Sequence, residues 1–162
     1  MRILGIDPGT ATVGWAIVES VKGNPAAIAY GHISTSKDLA LELRLQEIRD
    51  DVAEIVKQYQ PDEAALEELF FFSNQKTVIS VAQSRGALLL TLADFGLSIA
   101  GYTPLQVKQA LTGYGKADKQ QVQRMAKEIL HLNKIPKPDD VADALAIALC
   151  HIHHASFAKR RV

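Results

Sequence analysis

The first eighteen residues constrain the fold most, because they place a single acid at the end of an apolar strand. Residues 2–6 are mostly aliphatic, Asp7 follows them, and Pro8-Gly9 signals a turn before a second apolar run over 13–18. A strand buried on both faces is expected to be apolar throughout, so a carboxylate at its end costs free energy unless something compensates it. A bound cation would compensate Asp7. The alternative is that its side chain only caps the turn.

Length and composition indicate one globular domain. The chain has 162 residues, of which 48% are hydrophobic and 22% charged, so it can bury a sizeable core. No run approaches the ~18 apolar residues that cross a bilayer, and no secretory signal is evident at the amino end. The single Cys150 cannot form an internal disulfide. We therefore expect a cytoplasmic location and no association with a membrane.

The charge of the chain is balanced overall but unevenly distributed. The net charge is zero, which argues mildly against a nucleic-acid-binding protein. However, residues 38–68 contain ten acidic and three basic residues, whereas residues 104–137 contain seven basic and two acidic ones. A polyanion could thus meet a basic surface while an acidic site holds cations, although solvated helix surface would explain the same asymmetry. We expect a single domain over 1–157 and a short basic tail over 158–162.

Hydrophobic periodicity predicts the element order β-β-β-α-β-α-β-α-α-α, a mixed sheet flanked by helices. Short turns join the first three strands, which predicts an antiparallel meander. The second helix is apolar most of the way round, so it should be buried on more than one side, and a partner subunit could supply one of them. The predicted strands cover 2–6, 13–20, 26–34, 64–70 and 96–102, and the predicted helices cover 39–56, 77–95, 104–111, 118–132 and 139–156.

Acidic residues cluster at the start of the last predicted helix. Asp139, Asp140 and Asp143 follow Pro138 directly. Helical residues three or four apart share a face, so Asp143 can pair with either Asp140 or Asp139. These acids could instead simply interact with the amino end of the helix dipole.

The fourth predicted strand also ends in acids, at Glu67 and Glu68. Neighbouring strand residues point to opposite faces, so at most one of the two joins a given site, and the pattern does not decide between them. Together with Asp7 and the acids of the last helix, they indicate a carboxylate site for Mg²⁺ or Mn²⁺. Two such ions ~3.5–4 Å apart could activate a water and stabilise the leaving oxygen in phosphodiester hydrolysis.

Several short motifs follow one another along the chain, namely Gly5-Ile6-Asp7-Pro8-Gly9, Leu66-Glu67, Gln83-Ser84-Arg85-Gly86, Gln106-Val107-Lys108-Gln109 and Ala142-Asp143-Ala144-Leu145-Ala146-Ile147-Ala148. Their identity and order resemble those of the RuvC-type Holliday junction resolvases, which are RNase H-like nucleases. The resemblance spans nearly the whole chain. It implies an α/β fold with an RNase H-like mixed five-stranded sheet, in which three antiparallel strands precede parallel ones, flanked by helices. It also implies a structure-selective DNA endonuclease that resolves Holliday junctions by symmetric, divalent-metal-dependent hydrolysis of opposed strands.

The resemblance also implies site residues. The family's four catalytic acids, which are its metal ligands, match Asp7, Glu67, Asp140 and Asp143, and the expected cofactor is Mg²⁺, two ions per site, with Mn²⁺ as a substitute. Catalytic basic residues at the scissile phosphate match two lysines, Lys108 and Lys119. The residues expected to contact DNA are Phe70, or its neighbours Phe71 and Phe72, together with Lys108, Lys116, Lys119 and Arg124.

The resemblance further implies partners. Family members are homodimers that cut four-way junction DNA and work with a branch-migration motor. The apolar helix predicted over 77–95 is a candidate dimer surface, in agreement with its composition.

Other interpretations of the sequence remain. Residues 7–14 also resemble the first phosphate loop of actin-like kinases, which would indicate a phosphotransferase, although those proteins need two domains and a second glycine-rich loop. A module that binds junctions without cutting them is a third possibility. His151 and His154 are three residues apart, beside His153, a spacing that suits a transition metal or merely the end of a helix. Arg85 could form a salt bridge or contact DNA.

Overall fold

The computed structural model describes residues 1–68 and 75–159, with side chains over 1–68 and 78–155. Its element order agrees with the predicted one. The strands are β1 (Arg2–Asp7), β2 (Thr12–Val21), β3 (Asn24–Ser34), β4 (Glu63–Glu67) and β5 (Ser98–Tyr102), and the helices are α1 (Leu41–Tyr59), α2 (Gln75–Asp94), α3 (Pro104–Thr112), α4 (Lys119–Ile129) and α5 (Asp139–Lys159).

The five strands form one mixed sheet in the order β3-β2-β1-β4-β5. The short turns after β1 and β2 make β1, β2 and β3 an antiparallel meander, whereas β4 and β5 follow helices and pair in parallel with β1 and with β4. This arrangement confirms the predicted fold class. It also places β1 at the centre, with strands on both sides.

Two hydrophobic cores lie on the two faces of this sheet. On one face, Leu4 and Ile6 pack with residues of α1 and α2, such as Val52 and Leu88. On the other face, Ile3 packs with residues of α3, α4 and α5. Residues 3–6 of β1 therefore alternate between two buried faces, which explains why the strand is apolar between Arg2 and Asp7.

Helix α5 approaches the sheet closely because glycines face it. A Cβ atom at Gly5 would lie 2.3 Å from the carbonyl oxygen of Ala144, and one at Gly14 would lie 2.0 Å from the carbonyl oxygen of Asp140. Both distances are far below van der Waals contact, so neither position has room for a side chain while α5 stays where it is. The absence of a Cβ at Gly14 thus brings the start of α5 down onto β2.

Several element bounds differ from the predicted ones, for local reasons. Helix α1 begins at Leu41 rather than near 39, because Ser36 and Leu39 form a turn before it. Helix α4 ends at Ile129 because His131 adopts a left-handed backbone conformation, with a φ of 51°. Helix α5 continues to Lys159, beyond the predicted residue 156, and so includes the first two residues of the expected tail. No helix in the described part of the chain combines the length and apolarity needed to span a membrane.

Candidate active site

Strand alternation places Asp7 and Glu67 side by side on the α5 face of the sheet. In β1, Ile6 faces α1 and α2, so the next residue, Asp7, faces α5; in β4, Leu66 and Glu67 repeat this pattern. Ile6 pairs with Leu66 in the parallel register, and Asp7 directly follows Ile6 as Glu67 directly follows Leu66. The two carboxylates therefore emerge together at the carboxyl ends of neighbouring parallel strands.

Glu68 lies on the opposite face. A Cβ atom added to Gly101 would come within 2.6 Å of the Glu68 carboxylate, on the side of β5 that faces away from Tyr102 and α5. The geometry thus separates the two glutamates that the sequence pattern could not distinguish. Only Glu67 shares a face with Asp7.

The first turns of α5 bring two more acids to this end of the sheet. Asp140 lies over Gly14, and Asp143 follows one turn later on the same side of the helix. The charges of Asp140 and Asp143 both act on Asp7 and raise its pKa. Asp7 therefore lies within electrostatic reach of the other three acids that the family resemblance implies, whereas Asp139 is partly exposed and paired with Lys137.

The electrostatics of the site are those of crowded carboxylates. Burial raises the pKa of Asp7 well above its ordinary value, and the charges of Glu67, Asp143 and Asp140 raise it further. Burial and then Asp143 likewise raise the pKa of Glu67. Lys119 acts in the opposite sense on both acids. The site thus holds excess negative charge that one lysine only partly offsets.

Lys119 reaches into the site from the first turn of α4. Its Nζ atom lies 2.6 Å from Oδ2 of Asp143 and 3.9 Å from Oδ2 of Asp139. Burial lowers the pKa of Lys119, but the hydrogen bond and charge of Asp143 outweigh that effect, so its pKa is raised overall. The amide of Gln123, one turn further along α4, lies 3.3 Å from the other oxygen of Asp143. Asp118 fixes the start of this helix through a capping box with Gln121.

A cleft of about 380 Å³ opens over the acids. Its charged walls are Asp7, Glu67, Asp143, Lys108 and Lys119, and its remaining walls are apolar residues of α3, α4 and α5. Both lysines that the family resemblance implies therefore line the same cleft as these acids. Asp140 lies at the rim and lines a neighbouring groove instead. Lys116 and Arg124 are exposed outside the cleft, and Arg124 approaches Gln120 at 3.5 Å.

The donor set fits a hard divalent cation. Carboxylate oxygens are the ligands that Mg²⁺ and Mn²⁺ prefer. The raised pKa of Asp7 reflects its burial first and then the neighbouring carboxylates, whose charge a cation would neutralise. Within residues 1–68 and 78–155, however, no three His, Cys, Asp or Glu side chains are gathered tightly enough to enclose an ion. Asp143 is turned toward Lys119 and Gln123. Holding a cation would require Asp143 to exchange these partners.

Helix α2 is hydrogen-bonded to the loop after Asp7 and to the last residue of β4. Ser84 donates a hydrogen bond to the carbonyl of Gly9, 2.7 Å away, and Thr10 donates one to the carbonyl of Ser80, also 2.7 Å away. Arg85 donates from Nε to the carbonyl of Glu67 at 3.1 Å. The described contact of Arg85 is therefore with the backbone of the active-site strand rather than with an acidic side chain.

The three histidines of α5 do not form a common site. His151 lies with Nδ1 2.9 Å from the hydroxyl of Tyr102 and with Nε2 2.8 Å from the carboxylate of Glu63. His153 contacts the carbonyl of Ala110, and His154 stacks on the ring of Tyr102. His151 and His154 both contact Tyr102 and His153 contacts a backbone carbonyl, so the arrangement of the three rings does not indicate a metal site.

Some predicted or relevant residues require separate mention. Phe70, Phe71 and Phe72 lie outside the described residues, so their role stays a prediction. Gln123 was missed by the sequence analysis, although it lies four residues after Lys119 and so shares its helix face. That spacing is the signal that could have identified it.

Comparison with known proteins agrees with this geometry. The family model described as "Crossover junction endodeoxyribonuclease RuvC" matches residues 3–151. A protein of that name from Syntrophomonas wolfei is 53% identical over 153 residues, covering 94% of this chain and 89% of the relative. The Thermus thermophilus RuvC structure superposes with a TM-score of 0.91 at 35% identity, covering 98% of this chain and 97% of that one.

A second structure of the T. thermophilus protein was determined in complex with Holliday junction substrate. It matches with a TM-score of 0.88 at 33% identity, covering 97% of this chain and 96% of the other. The match of the family model, the identity to curated relatives and the shared fold all extend over nearly the full length. The chain therefore belongs to the RuvC family of crossover junction endodeoxyribonucleases.

Proposed function

We propose that this protein is an endonuclease that resolves Holliday junctions by cutting opposed strands. The observation that carries the proposal is the convergence of Glu67, Asp140 and Asp143 on Asp7 at one end of the sheet, with Lys119 paired to Asp143. Carboxylates and a fixed cation in one cleft suit hydrolysis of a phosphodiester. The T. thermophilus relative, which is 33% identical, was crystallised with a Holliday junction substrate, and this supports the same substrate here.

The four acids are proposed to hold divalent cations, two Mg²⁺ per site, with Mn²⁺ as a substitute. When bound, such ions activate the attacking water and neutralise charge on the phosphate and the leaving oxygen. Asp7 is the central ligand in this proposal, because its pKa is raised by all three of the other acids. Asp143 would release Lys119 and turn toward the ions. The freed lysine would then face the scissile phosphate.

Lys119 and Lys108 are proposed to stabilise the negative charge that develops on the phosphate during cleavage. The pKa of Lys119 is raised, so it remains protonated at neutral pH and acts as a cation rather than as a base. Lys108 lines the same cleft from α3. The described residues thus provide positive charge on the α3 and α4 side of the acids.

A homodimer is proposed to form along α2. Ile79 and Leu90 are 67% and 65% exposed, and Ala82, Gly86 and Ala93 between and beyond them are exposed as well. These positions follow one another at three- and four-residue spacings, so they form a continuous apolar stripe on the helix. A second copy of the chain would cover this stripe. A two-fold dimer would also place two clefts against the two opposed strands of a junction.

Two further aspects of the proposal come from the family resemblance and the proposed reaction. The enzyme would act with a branch-migration motor. A cytoplasmic location follows from the need to reach DNA, and it agrees with a single Cys150 that is buried and whose pKa burial raises to about 12.

The test is cleavage of a synthetic four-way junction with Mg²⁺, with Mn²⁺ and with EDTA. The wild-type chain should introduce paired nicks only with a divalent cation. Asp7→Asn should bind the junction as tightly as the wild type but cut it on the order of 10³-fold more slowly. Asp51→Asn, which removes an exposed carboxylate from α1, is the matched control and should cut normally. Cleavage by Asp7→Asn at the wild-type rate would refute the assignment.

A further inference from the structure

A second groove, which we call the 37/44 groove, lies beside the acids. It is lined by residues 9–12, by Lys37 and Arg44, and by Asp140, and it has a volume of about 480 Å³. Asp140 lines this groove, whereas Asp7, Glu67 and Asp143 line the cleft. The acidic cluster is therefore flanked by two hollows, one with Lys108 and Lys119 and the other with two further cations.

The two cations of the 37/44 groove form no ion pair with any side chain that the structure describes. Across the side chains that the structure describes, neither Lys37 nor Arg44 has a carboxylate within ion-pair distance. The only acid among the described residues lining the groove is Asp140, which belongs to the acidic cluster. The groove therefore presents positive charge that the described part of the chain does not neutralise.

Arg44 is held in place by a chain of hydrogen bonds that ends at the loop after Asp7. Its Nε donates to the hydroxyl of Thr35 at 2.8 Å, and this buried hydroxyl donates to the carbonyl of Thr10 at 2.6 Å. Thr10 is in turn bound to Ser80 of α2. Among the described residues, only one of the five guanidinium N–H groups has a hydrogen-bond partner, and this leaves the Nη groups for a ligand. A fixed guanidinium matches the oxygens of a phosphate in two-point contact.

We infer that the 37/44 groove binds a backbone phosphate of the cleaved strand, next to the scissile one. Arg44 would hold this phosphate through its Nη groups, and Lys37 would add charge from the rim. The inference rests on the proposed function, because the strand must cross the acids to reach the groove. The strand would then have cations on both sides of the point of cleavage, Lys108 and Lys119 on one side and Lys37 and Arg44 on the other.

The first experiment measures how the affinity for a four-way junction depends on salt, in an Asp7→Asn background that binds without cutting. Lys37→Gln and Arg44→Gln should each lower the slope of log K against log salt by about 1. The affinity at 50 mM salt should fall roughly three- to tenfold for each variant. Lys22→Gln is the matched control, because Lys22 lies in the β2–β3 turn, at the end of the sheet opposite Asp7. It should change neither quantity.

The second experiment locates the contact. Single phosphates of the cleaved strand are replaced one at a time by uncharged methylphosphonates. Neutralising the phosphate bound in the groove should weaken binding of the parent protein but should add little to the loss already caused by Lys37→Gln or Arg44→Gln. At every other phosphate, the loss of affinity caused by the methylphosphonate and that caused by the protein substitution should multiply. Arg44→Lys should bind more tightly than Arg44→Gln but less tightly than the parent protein, because lysine keeps the positive charge but cannot make the two-point contact of a guanidinium.

The outcomes separate the inference from the proposed function. If the wild-type chain neither binds nor cuts junctions, the proposed function fails and the inference with it. If the wild type cuts, but Lys37→Gln and Arg44→Gln both behave like Lys22→Gln, only the inference is overturned. The inference would also be overturned if the affinity losses from the methylphosphonate and from the protein substitution multiplied at every phosphate. Lys37 is exposed, so its variant tests the groove even if Arg44→Gln loses its anchor at Thr35 and unfolds.

Discussion

Replacing Gly14 by alanine should move the start of α5 away from the sheet and with it the acids that α5 carries. The added Cβ would lie 2.0 Å from the carbonyl oxygen of Asp140 and 3.0 Å from its Cβ, whereas ordinary contact begins at 3.4 Å. The helix must therefore recede by about 1.4 Å, because the obstructing atom belongs to the backbone and has no other rotamer to adopt.

The expected cost has two parts. Overpacking of this kind destabilises a fold by about 1–3 kcal/mol, and for a domain of this size each kcal/mol lowers Tm by about 2–4 °C. A displacement of about 1 Å at catalytic groups can slow the reaction roughly 10²-fold. Thermal melting followed by circular dichroism measures the first part, and single-turnover cleavage of a junction measures the second.

Gly31→Ala is a graded control in the neighbouring strand. Its Cβ would lie 3.1 Å from an atom of the Trp15 ring, which is a side chain that can shift by a few tenths of an ångström. It should therefore cost less than about 1 kcal/mol and leave cleavage unchanged. If Gly14→Ala melted and cut like the wild type, the close contact between α5 and β2 would not exist as described and the argument from it would fail.

Further predictions concern the charges of the site. Asp7→Asn should raise the Tm of the metal-free protein at neutral pH, because burial and the neighbouring acids raise the pKa of Asp7. A raised pKa means that the folded state binds the proton more tightly, so wild-type stability should fall as pH rises from about 3.9 through that pKa, and Asp7→Asn should lessen the fall in pH-dependent melting. Lys119→Met removes the cation that lowers the pKa of Asp7 and of Glu67, so the acidic limb of the cleavage–pH profile should move to higher pH. Glu67→Gln should abolish single-turnover cleavage, and Glu68→Gln should leave it within about threefold. His151→Phe should lower the free energy of unfolding in urea by about 1–3 kcal/mol, because it leaves buried Tyr102 without its partner.

Each of these expectations has a contrary result. If melting of the wild type and of Asp7→Asn depended equally on pH, the pKa of Asp7 would not be raised by burial and by the neighbouring acids. If the acidic limb of the cleavage–pH profile did not move in Lys119→Met, Lys119 would not lower the pKa of the two acids. Equal loss of cleavage in Glu67→Gln and Glu68→Gln would contradict the assignment of the two glutamates to opposite faces. Unchanged urea stability in His151→Phe would remove the structural role given to that ring.

The sequence predicted the sheet and the positions of the acids because both depend on local patterns. The run of aliphatic residues before Asp7 and the turn after it suffice for a strand that ends in a carboxylate. The choice between Glu67 and Glu68 depended on the register between β1 and β4, which periodicity alone does not contain. The family motifs supplied that choice, and the geometry agrees with it.

Contacts between distant segments could not be read from the sequence. Lys119 meets Asp143 across a loop and two helices, and the 37/44 groove combines a loop after β1 with residues from before and within α1. The spacing of His151 and His154 left open a transition-metal site or merely a helix end, and in the structure Tyr102 from β5 contacts both rings. Such pairings depend on how the helices pack on the sheet.

Helix α2 has hydrogen bonds to the loop after β1 and to the last residue of β4, and it also carries the apolar stripe proposed to meet a second copy. In the proposed dimer, α2 would therefore connect the two-fold axis to each active site. In a dimer joined along α2, this connection would fix the distance between the two active sites. Only DNA whose two exchanging strands are separated by that same distance would be cut in both strands. The enzyme would therefore select the branched shape of the substrate before it contacts any base.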